Sequence, residues 1–160
     1  MKYLNDISYK DCVGKVCQSK LSGDFKIVKY NNKTNVEIQF LNTGYEAVVQ
    51  LGNIRNGKVK DLRSPSVYGV GIVGTKYPTH EDAVNIKEYD LWQNMLKRCY
   101  SDTLKKKYPT YEECEVSEKF KSYEYFYEWC HKQIGFGNEG WHLDKDLLTK
   151  GNKVYSENAC

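Results

Sequence analysis

Apolar and polar residues alternate most regularly in residues 34–41. Every second position there is apolar: Val36, Ile38 and Phe40. Residues 24–30 form a second segment rich in apolar side chains, and Asn-Asn-Lys at 31–33 separates the two. Asparagine tolerates the left-handed backbone angles of tight turns, so the pattern predicts an antiparallel hairpin.

More short strands are predicted after this hairpin. Residues 45–51 read as a third strand, and two-residue strands are expected at 54–55 and 58–59 on either side of Asn56-Gly57. Asn-Gly is a favoured two-residue hairpin turn. Four or five short strands with tight turns predict a small SH3-like β-barrel within residues 1–75.

A glycine-rich segment follows, with Gly69, Gly71 and Gly74 in the order of a phosphate-binding loop. Neither a βαβ unit nor a suitably placed acidic residue accompanies it, so a dinucleotide site is not indicated. We interpret the segment as a flexible connector between a module at 1–75 and a second one at 76–160.

Helical periodicity dominates the second module. Residues 85–100 carry apolar side chains at helical spacing, and so do residues 117–133. The apolar positions are Tyr89, Trp92, Leu96 and Cys99 in the first segment, and Phe120, Tyr123, Phe126, Tyr127 and Cys130 in the second. A loop is expected at 105–107, an extended piece at 111–116, and a strand at the start of residues 141–160. The overall fold class is therefore predicted as α+β.

Net charge is +3, but its distribution is uneven. Residues 1–75 contain eleven Lys and Arg against six Asp and Glu, whereas residues 76–160 contain thirteen against fifteen. A basic N-terminal half suits contact with nucleic acid. The sequence lacks an apolar run of membrane-spanning length and a signal peptide, which predicts no membrane association and a location in the cytoplasm of a host cell.

The candidate DNA contacts lie around the last predicted hairpin: Arg55, Lys58, Lys60 and Arg63. They are predicted to contact the phosphates of double-stranded DNA, with a solvated hairpin edge as the alternative. Arg98 is a further candidate, with an exposed ion pair as its alternative. The six cysteines contain no Cys-x-x-Cys pair and are interpreted as free thiols, mostly buried.

The last twenty residues combine carboxylates, a Lys-Gly-Asn turn and a Tyr-Ser-Glu-Asn step. With Leu-Asp-Lys-Asp at 143–146, they resemble the first half of an HNH endonuclease ββα-metal core, in the variant of phage-encoded, homing-endonuclease-like proteins. Four further segments resemble the same bacteriophage family: 42–45, 57–61, 65–71 and the Trp-x-x-Met-x-x-Arg-Cys-Tyr signature at 92–100. Together these similarities span about two-thirds of the chain.

This resemblance implies roles for particular residues. Asp144 occupies the place of a metal ligand, Asp146 is a second candidate ligand, and Mg²⁺ is the implied cofactor. The alternative interpretation is that Asp144, Lys145 and Asp146 form a solvated strand end. Lys145 stands where the family has its general-base histidine, and a protonated lysine is a poor base. His142, two residues from Asp144 in a strand, would lie on the same face and is the alternative base.

The incomplete motif leads us to expect a DNA-binding protein of the HNH type with weak or absent cleavage. Two alternatives stay open: a protein-binding module on the same scaffold, for host interaction or anti-defence, and a truncated fragment of an active Mg²⁺-dependent nuclease. Whether the chain is an enzyme is left undecided.

Overall fold

The chain forms two compact units of mixed α+β structure, described for residues 11–160 by a computed structural model. The N-terminal unit ends at Ser64, and the C-terminal unit comprises Pro65–Cys160. The glycine-rich segment before residue 75 therefore lies within the C-terminal unit.

An antiparallel sheet of four strands forms the N-terminal unit. The strands, in sequence order and in sheet order, are β1 (Val16–Ser19), β2 (Gly23–Asn32), β3 (Asn35–Phe40) and β4 (Glu46–Val49). Phe25 is paired with Phe40 across β2 and β3, and their ring centroids are 5.5 Å apart. The predicted hairpin is therefore confirmed, and β1 adds a strand that the sequence did not indicate.

Alternation along the strands explains how the core of this unit forms. Since successive side chains point to opposite faces of a strand, Val36, Ile38 and Phe40 all reach one face, where each is at most 1 % exposed. Phe25 and Ile27 of β2 are fully buried against them.

A short helix replaces the two strands predicted around Asn56-Gly57. Helix α1 (Leu51–Arg55) follows β4 directly, and residues 58–59 form no strand. Leu51 and Ile54 are three residues apart, so a helical turn buries both on the same face. That burial decides the conformation, and the prediction of strands at 54–55 and 58–59 was wrong.

Helices predominate in the C-terminal unit. The elements are β5 (His80–Glu81), β6 (Val84–Asn85), α2 (Lys87–Tyr100), α3 (Asp102–Lys107), β7 (Glu115–Val116), α4 (Tyr123–Cys130) and β8 (Val154–Tyr155). Single 3₁₀ turns lie at Pro109–Tyr111 and Lys119–Lys121. β5 pairs with β6 in an antiparallel hairpin, and β7 pairs with β8 in parallel.

The predicted apolar stripes form the core of this unit. Trp92 and Leu96 of α2 are fully buried, as are Tyr123 and Phe126 of α4. The indole Nε1 of Trp92 donates a hydrogen bond to the carbonyl oxygen of Phe120 at 2.7 Å. A buried tryptophan needs such an acceptor, because an unpaired N–H in the core would be costly.

Two predicted boundaries in the C-terminal unit were wrong for a common reason, the capping of helix starts by serine. Ser122 ends the 3₁₀ turn, and its hydroxyl accepts the N–H of Tyr125, so the helix predicted to start at residue 117 starts at Tyr123 as α4. Ser101 accepts the N–H of Leu104 and starts α3, which makes the lysines at 105–107 helical instead of part of a loop.

The glycine-rich segment is packed into the core and is no flexible connector. Ile72 donates its N–H to Lys121 and accepts that of Tyr123, both at 2.9 Å. A β-carbon on Gly71 would lie 2.5 Å from Leu96 Cδ1 and 2.8 Å from Trp92, so only glycine fits. Close packing against Trp92 explains why residue 71 is glycine. The sequence pattern had instead suggested a flexible segment.

Among residues 11–160, no helix has both the length and the apolar composition needed to cross a membrane.

Gly71→Ala is predicted to destabilise the C-terminal unit by about 1–3 kcal/mol, because the added methyl group would collide with the side chains of Trp92 and Leu96. Urea unfolding followed by tryptophan fluorescence measures this unit alone, since Trp92, Trp129 and Trp141 all lie in it. Thr103→Ala, at an exposed position of α3, is the control and should leave the midpoint nearly unchanged. Equal midpoints for the two variants would contradict the packing argument.

All six cysteines are free thiols, and all except the half-buried Cys160 are buried. Burial raises the pKa of Cys17 to about 11 and that of Cys130 to about 12. Thiolates are the reactive form, so these side chains stay protonated and unreactive at neutral pH.

We therefore predict that a thiol-reactive chromogenic disulfide titrates at most one cysteine rapidly in the native protein at pH 7.5. Six thiols should react after unfolding in denaturant. Cys160 is the most exposed of the six, although burial raises its pKa to about 11 as well, so Cys160→Ser should remove any fast phase and leave the other five unchanged. Rapid reaction of three or more thiols in the native state would contradict the burial.

Candidate nucleic-acid interface

A loop that follows α1 presents two of the predicted DNA-contacting lysines. Lys58 and Lys60 are exposed and lie on either side of Val59, which is 1 % exposed and anchors the loop in the core. Gly57 takes a left-handed backbone angle (φ 64°), and the N–H of Lys58 donates to the carbonyl of Asn53 at 2.8 Å. Arg55, at the last position of α1, is exposed as well.

Lys20 belongs to the same surface, although the sequence did not single it out. Its N–H donates to the carbonyl of Gly57 at 3.0 Å. Next to it, the hydroxyl of Ser19 donates to the carbonyl of Val59 at 2.5 Å. A β-carbon on Gly57 would lie 3.0 Å from Cγ of Lys20, so the Lys20 side chain covers this glycine. We call Lys20, Arg55, Lys58 and Lys60 the basic loop surface.

Arg63 is held by different neighbours. Its guanidinium carbon lies 5.9 Å from the ring centroid of Tyr45, and its N–H donates to Oδ1 of Asp61 at 2.8 Å. Asp61 is 1 % exposed and also accepts a 2.6 Å hydrogen bond from the hydroxyl of Thr43. The buried carboxylate therefore fixes the backbone at Arg63, while the arginine side chain stays exposed over Tyr45.

Few carboxylates neutralise the cations of this unit. Within residues 11–64, the ion pair closer than 4 Å is that between Lys29 and Glu37, at 3.5 Å. None of the basic loop surface has a carboxylate partner in the described chain. Unpaired, exposed ammonium and guanidinium groups can approach a phosphate without first giving up another partner.

The proposed metal-binding segment is irregular where a strand was predicted. Residues 141–147 contain no strand, and β8 is the two-residue strand that follows them. His142 and Asp144 are both exposed, and without a strand their spacing does not place them on a common face. Oδ1 of Asp144 accepts the N–H of Asp146 at 2.8 Å, which closes a local turn.

Lys145, which the resemblance aligned with a general-base histidine, is buried. Its residue is 8 % exposed, and Nζ donates to Oδ2 of Asp146 at 2.7 Å. Burial lowers the pKa of Lys145, but the hydrogen bond and charge of Asp146 outweigh that effect and hold it above its ordinary value. Lys145 therefore stays protonated and is no general base. Asp146, engaged by Lys145, is also poorly placed as a metal ligand.

Metal-binding side chains do not converge in this part of the protein. Among residues 11–160, no group of three or more His, Cys, Asp or Glu side chains is arranged to hold a metal ion. Asp144 and Asp146 thus supply at most two carboxylates for the Mg²⁺ implied by the resemblance. Mg²⁺ binds weakly to so few carboxylates unless substrate phosphate adds ligands.

Arg98 is half-buried near the C-terminal end of α2. Its Nη1 donates to the phenolic oxygen of Tyr155 at 3.3 Å. No carboxylate in residues 11–160 forms an ion pair with Arg98. The alternative prediction, an exposed ion pair, was therefore wrong for these residues.

No family model, no curated protein and no solved structure matches this chain.

Mg²⁺-dependent cleavage of DNA by the 160-residue chain is predicted to be weak or absent. Asp144 has no base beside it, and Lys145 places a positive charge where a metal ion would bind. The assay is nicking of supercoiled plasmid in Mg²⁺ or Mn²⁺, with Asp144→Ala and His142→Ala run in parallel. Robust nicking by the parent that either variant abolishes would show that the segment does assemble an active site.

Proposed function

We propose that the protein binds double-stranded DNA through the phosphate contacts of its N-terminal unit. The observation that carries this proposal is the basic loop surface, whose four cations are exposed and have no carboxylate partner among residues 11–160. Contacts between such cations and the DNA backbone release condensed counterions, which supplies affinity without regard to sequence.

Charge distribution in the chain supports the same unit as the binding surface. Residues 1–64 contain eleven Lys and Arg against six Asp and Glu, an excess of five positive charges. Residues 65–160 contain thirteen against fifteen, an excess of two negative charges. A duplex is therefore attracted to the N-terminal unit and weakly repelled by the other.

Two finer assignments belong to the proposal as expectations. The first is that the sheet β1–β4 with α1 is related to SH3-like barrels; its short antiparallel strands and tight turns support this. The second is that the chain descends from phage HNH endonucleases, on the strength of the Leu-Asp-Lys-Asp segment and the Trp-x-x-Met-x-x-Arg-Cys-Tyr signature. Binding with weak or absent cleavage is the activity we propose for it.

Changing Lys20, Arg55, Lys58 and Lys60 together to Gln is predicted to weaken binding to duplexes of unrelated sequence. The plot of log affinity against log salt should become shallower by about one unit for each phosphate that the variant no longer neutralises. Fluorescence anisotropy with a labelled duplex at several salt concentrations measures both quantities. Arg63 can then be tested singly, as Arg63→Gln, to decide whether its position over Tyr45 also meets phosphate.

A matched control removes four exposed lysines from the C-terminal unit: Lys97, Lys106, Lys107 and Lys132. It changes the net charge equally, so a purely global charge effect would lower affinity as much as the loop variant does. DNA binding that is unaffected by the loop variant, or absent from the parent at low salt, would refute the proposal.

Protein binding is the second candidate function, and exposed apolar side chains in the C-terminal unit favour it. Ile134 is fully exposed, and Leu147 and Leu148 are 76 % and 65 % exposed. Leu147 and Leu148 are adjacent in the sequence, and contiguous exposed apolar groups mark sites of protein contact, whereas single ones are common on any protein surface. A host protein that co-purifies with the parent but not with an Ile134→Ser, Leu147→Ser, Leu148→Ser variant would support this candidate.

A further inference from the structure

Two cations of the C-terminal unit converge on a single buried tyrosine. Nη1 of Arg98 is 3.3 Å from the phenolic oxygen of Tyr155, and Nζ of Lys145 is 5.9 Å from the centroid of the same ring. The three residues come from α2, the irregular segment after α4, and β8. Their meeting is thus a product of the fold and is not visible as a sequence motif.

Backbone contacts fix this arrangement. The side-chain amide of Asn152 donates to the carbonyl of Lys145 at 2.9 Å and to that of Val154 at 2.8 Å. β8 pairs with β7 in parallel, and the N–H of Ser117 donates to the carbonyl of Tyr155 at 2.9 Å. The backbones of Lys145 and Tyr155 are therefore held in place before any ligand arrives, and Asp146 holds the ammonium group of Lys145.

Hydrogen-bonding capacity at this place is largely unused. A guanidinium has five N–H donors, and among residues 11–160 that of Arg98 has one acceptor, the Tyr155 oxygen. The phenol accepts this bond, so its own proton needs a different acceptor, and none lies among the described residues. Burial raises the pKa of Tyr155 despite the opposing effect of Arg98, so the phenol keeps that proton at neutral pH.

Charge is also incompletely balanced. Asp146 neutralises Lys145, whereas Arg98 has no carboxylate within 4 Å in the described chain. Burial lowers the pKa of Arg98, but the hydrogen bond with Tyr155 and the electrostatic interactions with its neighbours together outweigh that effect and raise it, so the guanidinium stays charged and keeps donors free for an anion. The planar fork of arginine matches phosphate oxygens in pairs, and a tyrosine hydroxyl adds a third donor.

We propose that Arg98 and Tyr155 form a binding site for a phosphate group, with Lys145, paired to Asp146, over the same phenol ring. The identification of that phosphate with the DNA backbone rests on the proposed function; a free phosphate or a terminal phosphate has the same chemistry. If the ligand is the DNA backbone, the C-terminal unit adds one phosphate contact to those of the N-terminal unit.

Inorganic phosphate is the first probe, titrated into the full chain at constant ionic strength and followed through the side-chain Nε–Hε resonance of Arg98. We expect saturable binding that Arg98→Gln weakens by about tenfold or more, the scale expected when a charge-assisted pair is removed. Tyr155→Phe keeps the buried ring and removes only the hydroxyl, so it tests the site even if the arginine variant folds poorly. Arg98→Gln lacks this resonance, so isothermal titration calorimetry is used to compare phosphate binding by the parent and all variants.

Lys150→Gln is the matched control, because it removes one exposed positive charge from the same unit. It should leave phosphate affinity unchanged, and Arg98→Lys should fall between parent and Arg98→Gln, since it keeps the charge without the fork. No saturable binding by the parent, or equal affinity in the parent, Arg98→Gln and Tyr155→Phe chains, would overturn the proposal.

A second arm identifies the source of the phosphate and separates this site from the N-terminal surface. If the DNA backbone is the ligand, Arg98→Gln lowers duplex affinity in the parent and also in the chain that lacks the four loop cations. If the ligand is a free or terminal phosphate, inorganic phosphate still binds while Arg98→Gln leaves duplex affinity unchanged. Loss of DNA binding in the loop variant with phosphate binding retained shows that the two sites are distinct.

Discussion

The C-terminal unit depends on the way Trp92 is enclosed. Its ring packs directly on the backbone of Gly71, and its Nε1 donates to the carbonyl of Phe120 at 2.7 Å, so one side chain joins α2 to two other segments. Ile72 and Tyr123 add backbone hydrogen bonds at the same place. The indole thus fixes the rotation of α2 about its axis, and that rotation places Arg98 against Tyr155 instead of in solvent. The proposed phosphate site therefore depends on the same packing as the core.

Where the sequence predicted the fold correctly, the pattern was long and buried on one face. The alternation of residues 34–41 and the stripe from Tyr89 to Cys99 each commit several apolar side chains to one surface, and no local alternative buries as many. The predictions failed in short segments. Leu51 and Ile54 fit either a strand or a helical turn, and tertiary burial made the choice. Residues 141–147 have the composition of a strand, but they lack a partner strand, and extended backbone without one is not held in a sheet.

The candidate interface shows the same limit at the level of single residues. Arg55, Lys58 and Lys60 were predictable because they lie close together in the sequence. Lys20 precedes them by 35 residues or more and joins them only because its backbone bonds to Gly57. The burial of Lys145 was equally hidden: a lysine between two aspartates reads as solvated, yet its ammonium group lies near the ring of Tyr155. Neither placement leaves a local signal in the sequence, since each depends on contacts between distant segments.

A larger share of the cations is paired with carboxylates in the C-terminal unit than among the described residues of the N-terminal one. In the C-terminal unit, Lys76, Lys119, Lys121 and Lys145 each lie within 4 Å of a carboxylate: that of Glu128, Glu157, Glu118 and Asp146 respectively. Such pairs add little stability when exposed, but each must be separated or shared before its lysine can serve a phosphate fully. The N-terminal unit has one such pair among its described residues, so most of its cations are available. Arg98 also has no carboxylate within 4 Å among the described residues, and it differs from the other unpaired cations of this unit because its guanidinium donates to the phenol of the buried Tyr155. That placement is why a single anchored phosphate, and not a general attraction to polyanions, is the contact expected there.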